Sequence, residues 1–188
     1  MQYMAHRICP WYVGYFLLGP FRRIFHDPDK ILRPYVTNGM AALDVGSGMG
    51  YFSLPMAKLV GPKGKVVSVD LQEKMIAVLK RRTERAGLSG IIEARICRRD
   101  TLGINDLDDR VDFTLLFAVV HEVPDRERLF SEITRVMRRG ALLLIAEPKG
   151  HVRQKEFGET TAIAEGRGLE IVARPAITLS HAALLRKK

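Results

Sequence analysis

A doubly wound α/β fold, with a mostly parallel sheet between two layers of helix, follows from three observations. From residue 40 onward, apolar runs of strand length alternate with amphipathic helical stretches, the order required by a parallel sheet with right-handed crossovers. The first run, residues 40–45, lacks the in/out alternation of a half-exposed strand, as the centre of a parallel sheet does. It opens into Val45-Gly46-Ser47-Gly48-Met49-Gly50, a glycine loop where such sheets bind ligands. At 188 residues the chain suits one domain with a full core and is too short for a nucleotide-binding domain plus a separate substrate domain.

Taken in order, residues 1–39 form an N-terminal helical extension and residues 40–188 the main domain. The extension is aromatic-rich, with Trp11, Tyr12, Tyr15, Phe16, Phe21 and Phe25 at helical spacing. Gly19-Pro20 breaks it, and Asp27 or Asp29 can cap a short helix through Ile31-Leu32. After the first strand a helix is expected over 51–59, and a second strand over 65–70 follows the turn at Gly61-Pro62-Lys63-Gly64. Residues 72–86 place Met75, Ile76, Leu79 and Ala86 on one helical face, and Gly87 suits the cap. A third strand over 91–97, a helical turn at 104–109 and a fourth strand over 111–118 come next. Asp125 can cap a helix running to Met137, with Gly140 closing it and a fifth strand over 141–146. A helix over 154–165 and a hairpin-like pair of strands, 169–173 and 177–185, complete the chain.

Composition excludes several classes. Cys9 and Cys97 stand far apart with no C-x-x-C and no histidine cluster nearby, so neither a disulfide framework nor a zinc site is suggested and a cytoplasmic setting is expected. No apolar run reaches the roughly 18 residues of a spanning helix, and the N-terminus lacks a signal-peptide layout. The net charge of +9 and pI of about 9.8 raise the question of nucleic acid. The basic groups, such as Arg22-Arg23, Lys80-Arg81-Arg82, Arg98-Arg99 and Arg138-Arg139, are spread along the chain, which fits a solvated surface better than a binding stripe.

Chemistry concentrates at the strands' carboxyl ends. Asp44 interrupts a buried strand, and a buried carboxylate requires a hydrogen-bond or cationic partner, which a ligand can carry. The loop spacing is G-x-G-x-G, because Tyr51 stands where a dinucleotide fingerprint needs its third glycine. Asp70 ends the second strand twenty residues after Gly50, placed either to accept from both hydroxyls of a ribose or to cap the following helix, and Leu71 offers an apolar face to an adenine ring. Asp100, in the Arg98-Arg99-Asp100-Thr101 loop, can accept from an adenine amino group or serve a turn. His121 and Glu122, beyond the fourth strand, are candidates for substrate contact or proton removal; alternatively His121 bonds nearby backbone and orders the loop.

Together these motifs resemble the class I S-adenosyl-L-methionine (SAM) methyltransferases over residues 40–186. Leu43-Asp44-Val45-Gly46-Ser47-Gly48-Met49-Gly50 is similar to their first motif and Asp70 to the acid that follows it. His121-Glu122-Val123-Pro124-Asp125 and the stretch from Arg138 to Pro148 resemble the ubiquinone/menaquinone C-methyltransferase branch. Arg139-Gly140-Ala141 replaces that branch's Pro-Gly-Gly, and no N/D-P-P-Y/F sequence of the nucleic-acid amino-methylating type follows the fourth strand. The resemblance implies a Rossmann-like seven-stranded sheet of order 3-2-1-4-5-7-6 with strand seven antiparallel. It implies SAM, giving S-adenosyl-L-homocysteine, held by Asp44, Gly46, Ser47, Gly48, Gly50, Asp70, Leu71, Asp100 and Thr101, with the Phe117-Ala118 backbone near the methionine end. It also implies N-terminal helices over the strand ends, an aromatic lid suited to a small or lipid-like acceptor facing Tyr12 or Tyr15 and His121; packed on the outside of the sheet, the same aromatic residues are ordinary core instead. The alternatives are an RNA methyltransferase or a non-catalytic SAM- or nucleotide-binding module, since a fold does not fix its function.

Overall fold

The computed structural model describes residues 20–188. Tyr12, Tyr15 and most of the expected aromatic lid, together with Cys9, lie outside the described residues. Among the described residues two short helices precede the sheet: α1 (Pro20–Phe25) and α2 (Pro28–Leu32). Asp27 caps α2, its Oδ1 accepting from Asp29 N at 3.0 Å, with Pro28 supplying a preset φ at the first helical position.

The sheet is built from β1 (Ala41–Val45), β2 (Lys65–Asp70), β3 (Ile92–Ile96), β4 (Val111–Phe117), β5 (Met137–Pro148), β6 (Leu169–Ala173) and β7 (Ser180–Lys187). Its seven strands run in the order β3-β2-β1-β4-β5-β7-β6. β7 is antiparallel to both of its neighbours, and the other pairs are parallel. The connecting helices are α3 (Ser53–Val60), α4 (Glu73–Arg85), α5 (Arg126–Val136) and α6 (Gln154–Gly166). The order reverses between β1 and β4, so the loops leaving those two strands part and leave a crevice at their carboxyl ends.

Both faces of the sheet are covered, which explains the unbroken apolar runs. On one side Leu32 of α2 and Met56, Ala57 and Val60 of α3 pack on Phe113, Leu115 and Leu144. On the other, Leu129, Phe130 and Ile133 of α5 and Phe157 of α6 pack on Leu43, Val45, Leu116 and Leu143. Each of these Leu, Ile, Val, Met and Phe side chains contributes about 1.5–3 kcal/mol on removal from water. Leu32 and Val36 belong to this core, so the chain just ahead of β1 is tied into the main domain.

Three boundaries differ from expectation. Helix α3 starts at Ser53, leaving Tyr51 and Phe52 in the loop. Helix α5 stops at Val136, and Gly140 lies inside β5 instead of closing the helix. Met137, fully buried, is the first residue of β5 and pairs with Val111. The ladder then shifts register before Phe113, and Gly140 takes φ +80° there, so the glycine serves an irregular strand. Last, β7 begins at Ser180, because residues 174–179 form a loop that turns at Leu179 with φ +56°. A single turn of 3-10 helix at Val120–Glu122, with no expected counterpart, follows β4.

Candidate functional site

The crevice between the ends of β1 and β4 is a cleft of about 580 Å3. Its floor is the glycine loop. Gly46 N and Ser47 N both donate to Val69 O, at 2.9 and 3.1 Å, which lashes the loop to β2. Gly46 has φ +71°, and a Cβ there would meet Val119 Cγ2 at 2.5 Å, so the absent side chain is what lets the chain after β4 close over the loop. Gly48 has φ +54° and faces open space. Gly50 does not line the cleft; a Cβ on it would strike Leu79 Cδ1 at 2.3 Å, so it serves the packing of α4. Arg82 of α4 donates to Met49 O from behind.

Two carboxylates stand beside the loop. Asp44 is 2% exposed and accepts from Ser53 Oγ at 2.5 Å. Burial drives its pKa up to about 6, opposed by the Ser53 hydroxyl and Arg22 and assisted by Asp70. Asp70 binds backbone with both oxygens, accepting from Gly48 N on Oδ2 and Gln72 N on Oδ1, each at 2.8 Å. Burial raises its pKa while these N–H groups hold it down. Each oxygen retains a lone pair, so Asp70 can order the turn and still accept hydroxyls from the cleft that it lines. Gln72 is the N-cap of α4, so Asp70 orders the turn ahead of the helix and does not cap it.

Leu71, Met49 and Met75 form an apolar wall next to Asp70. The opposite wall is the 97–102 loop, where Asp100 is exposed on the rim. Thr101 Oγ1 donates to Glu132 Oε2 at 3.1 Å, and Leu102 N donates to the same oxygen at 2.8 Å, so Thr101 holds the loop in place. Glu132 lines the cleft and was missed by the sequence reading. The available signal was a carboxylate between Leu129, Ile133 and Val136 on the buried stripe of α5. Cys97 also lines this wall, its thiol pushed up to about 11 by burial.

At the other end stand Phe117, Phe52, Tyr51 and Arg22. Phe52 and Phe117 meet at 4.5 Å between ring centroids. The Arg22 guanidinium lies 4.3 Å from the centre of the Tyr51 ring, a cation-π contact; burial lowers its pKa, with Tyr51 and Asp44 pulling it back up. Arg22 was read with Arg23 as solvated surface, so its place in the cleft was missed. Ala118 then takes φ +56°, a conformation that costs a non-glycine residue about 1–3 kcal/mol and persists only where its surroundings enforce it.

The enforcing group is Glu147, at the end of β5 and 1% exposed. Its Oε1 accepts from Val119 N at 3.0 Å and Val120 N at 2.9 Å, and its Oε2 from His121 N at 3.3 Å. His121 Nδ1–H donates to Oε2 at 2.5 Å. Burial alone would lower the His121 pKa, but the Glu147 hydrogen bond and charge leave it raised above its ordinary 6.5. With Nδ1 occupied, the neutral ring carries its lone pair on Nε2. Glu122 lines the cleft, whereas His121 sits behind it, edge-on to His151 at 5.5 Å.

The residues present fit SAM. Ser47 Oγ is buried at the cleft wall with no hydrogen-bond partner among the described residues, so a polar ligand atom has a place to bond. Gly48 leaves open space where a side chain would stand, Asp70 retains acceptor capacity for ribose hydroxyls, and ionised Asp44 suits a positive charge.

Comparison with known proteins agrees. A family model described as "Methyltransferase domain" matches residues 36–172. A demethylmenaquinone methyltransferase from Geobacillus stearothermophilus is 27% identical over 119 residues, 63% of this chain and 50% of that protein. An uncharacterized 37.1 kDa protein in transposon TN4556 of Streptomyces fradiae is 32% identical over 110 residues, 58% of this chain and 30% of that protein. The chain thus spans half or less of the length of these curated relatives. The crystal structure of a SAM-dependent methyltransferase from Aquifex aeolicus superposes with a TM-score of 0.85 at 26% identity, covering 95% of this chain and 98% of that one. The cyclase SpnF shares the fold alone, with a TM-score of 0.73 at 15% identity over 88% of this chain and 82% of that one. The sheet order, the cleft at its switch point and these matches lead to one assignment: the chain belongs to the methyltransferase domain family, as a class I SAM-dependent member.

Proposed function

We propose that the protein transfers a methyl group from SAM to a small or lipid-like acceptor, with the cofactor in the 580 Å3 cleft and the acceptor beyond its Phe117-Ala118 end. The observation that carries this reading is the buried Ser47 hydroxyl, without a hydrogen-bond partner among the described residues, beside Asp44 and Asp70 in one cleft. When bound, SAM supplies an electrophilic methyl on a sulfonium whose thioether is a good leaving group. The protein's own contribution is position and dryness, worth on the order of 7–11 kcal/mol in well-oriented reactions. Asp70 holds the nucleoside by its hydroxyls, Leu71 and Met75 flank the base, and Asp44 with Arg22 answers the charged amino-acid end. Asp100 on the rim is placed to meet an adenine amino group. Glu122, on the cleft wall, removes a proton from an acceptor that carries one, or the partly exposed His121, oriented by Glu147, does so for an acceptor that extends past Glu122.

A lipid-like acceptor is supported by the relative named as a demethylmenaquinone methyltransferase and by the aromatic walls of the cleft. RNA is disfavoured by the pairing of many surface cations: Arg95 with Asp106, Arg138 with Asp112, Arg167 with Glu127 and Arg186 with Glu170. No described helix is long and apolar enough to cross a membrane. The test is transfer of label from SAM to lipid, quinone and RNA fractions. Label in the lipid or quinone fraction is the expected result. Transfer to RNA would replace the acceptor assignment, and tight SAM binding without turnover would favour a non-catalytic module.

A further inference from the structure

A second cavity, of about 400 Å3, opens between the start of α6 and the loop joining β6 to β7. Lys149, Arg174, Gln154 and His181 line it beside the apolar Phe157 and Ile177, and among the described residues no carboxylate does. Lys149 and Arg174 make no ion pair among the described residues, unlike Arg95, Arg138, Arg167 and Arg186 elsewhere on the surface. Two unneutralised cations on the wall of a concavity concentrate positive potential there. The His181 ring stacks on Phe157 at 5.6 Å between centroids, which leaves its nitrogens on the ring's perimeter. Such a cavity suits a molecule with an anionic group on an apolar body.

Its location ties it to the cofactor cleft. His26 stands between the two: its ring meets Phe117, a wall of the cleft, edge-on at 5.0 Å. On the other side its Nε2–H donates to Thr178 O at 2.8 Å and lies 3.4 Å from Ser180 Oγ, both in the second cavity. Tyr51, also in the cleft, fixes this arrangement by donating its hydroxyl to His26 O at 2.8 Å. One imidazole therefore separates the second cavity from the Phe117-Ala118 end of the cleft.

We infer that this cavity anchors the methyl acceptor, holding a carboxylate or phosphate group of an amphipathic molecule through Lys149 and Arg174 while the acceptor's nucleophilic atom reaches past His26. The inference rests on the methyl-transfer reading above. The anchored anion is a handle and takes no part in bond making, so the transfer leaves it unchanged.

The test uses the full chain, with and without S-adenosylhomocysteine, titrated with benzoate, inorganic phosphate and neutral benzamide while NMR follows His181 and Ala182. Benzoate or phosphate should bind at least about ten-fold more tightly than benzamide, the effect of one charge-assisted hydrogen bond. The double substitution Lys149→Met with Arg174→Met should remove that preference without changing affinity for S-adenosylhomocysteine. Both residues are exposed, so the fold should survive, and a thermal melt checks it. Binding of benzoate alone assigns a carboxylate and of phosphate alone a phosphate monoester. Benzamide matching benzoate, none of the three binding, or an unchanged double variant overturns the inference. If S-adenosylhomocysteine fails to bind wild type, the methyl-transfer reading falls and the acceptor role with it, while the titration without it still reports on the cavity.

Discussion

Glu147 Oε2 lies 2.5 Å from His121 Nδ1, and the same side chain accepts the main-chain N–H groups of residues 119–121. One buried carboxylate thus sets the tautomer of the imidazole and the course of the chain that bounds the Phe117-Ala118 end of the cleft.

Replacing Glu147 by Gln keeps the shape and removes the charge that raises the His121 pKa. A base must be neutral to accept a proton, so with a protic acceptor the wild-type rate should rise with pH through a midpoint above 6.5. In Glu147→Gln the midpoint should move down, and His121→Ala should lower kcat by about 100-fold or more. Stability carries the opposite sign: the raised pKa stabilises the fold below pH 6.5, and that contribution fades as pH climbs through the folded value. A pH-rate profile of Glu147→Gln that overlays wild type would remove the base role.

Asp70→Ala should weaken SAM binding by about 1–3 kcal/mol, because ribose hydroxyls would lose an acceptor and Gly48 N its partner. Calorimetry reads this directly. Unchanged affinity, or tight NAD binding by wild type, would contradict the cofactor placement.

Affinity for SAM is expected to depend on pH through Asp44. The ionised carboxylate is the form that attracts the cofactor's positive charge, so binding favours deprotonation and affinity should rise as pH increases through about 6. In Asp44→Asn the Ser53 hydrogen bond can persist but that rise should vanish. A flat wild-type profile between pH 5 and pH 7, values that bracket about 6, would show that Asp44 does not sense the ligand.

Gly46→Ala should misplace the turn after β4. The new methyl must displace Val119, with which it would collide at 2.5 Å, and the φ of +71° adds strain. A loss of about 1–3 kcal/mol is expected, seen as a lower melting temperature together with weaker SAM binding. Gly48→Ala has space around it and only the φ of +54° to bear, so it should cost less.

Much of this was legible in the sequence because it is local. Strand and helix periods and the Asp125 cap, which accepts from Arg128 N at 2.9 Å, arise within adjacent strand, loop and helix segments. Glu147 was visible only as part of a motif, since its role depends on β5 lying beside β4, and no period reveals which buried carboxylate receives which N–H. Arg22 and Glu132 escaped for related reasons. An arginine among aromatic residues reads as surface, and a glutamate on a helix reads as solvent-facing until the opposite loop is known. The end of α5 was misjudged because Met137 satisfies both the helical stripe and the first rung of β5, and the ladder to Val111 decides.

The placement of β7 between β5 and β6 bears on how the protein is made. Until residues 180–187 have been synthesised, β5 presents a bare edge of unpaired amide groups beside the apolar Leu143, Leu144 and Ile145, a template for mispairing with other chains. Its partners are distant in sequence, so closing the sheet comes late and slowly. Emerging chains should therefore depend on chaperones, and loss of this strand should yield insoluble protein instead of a shorter working domain.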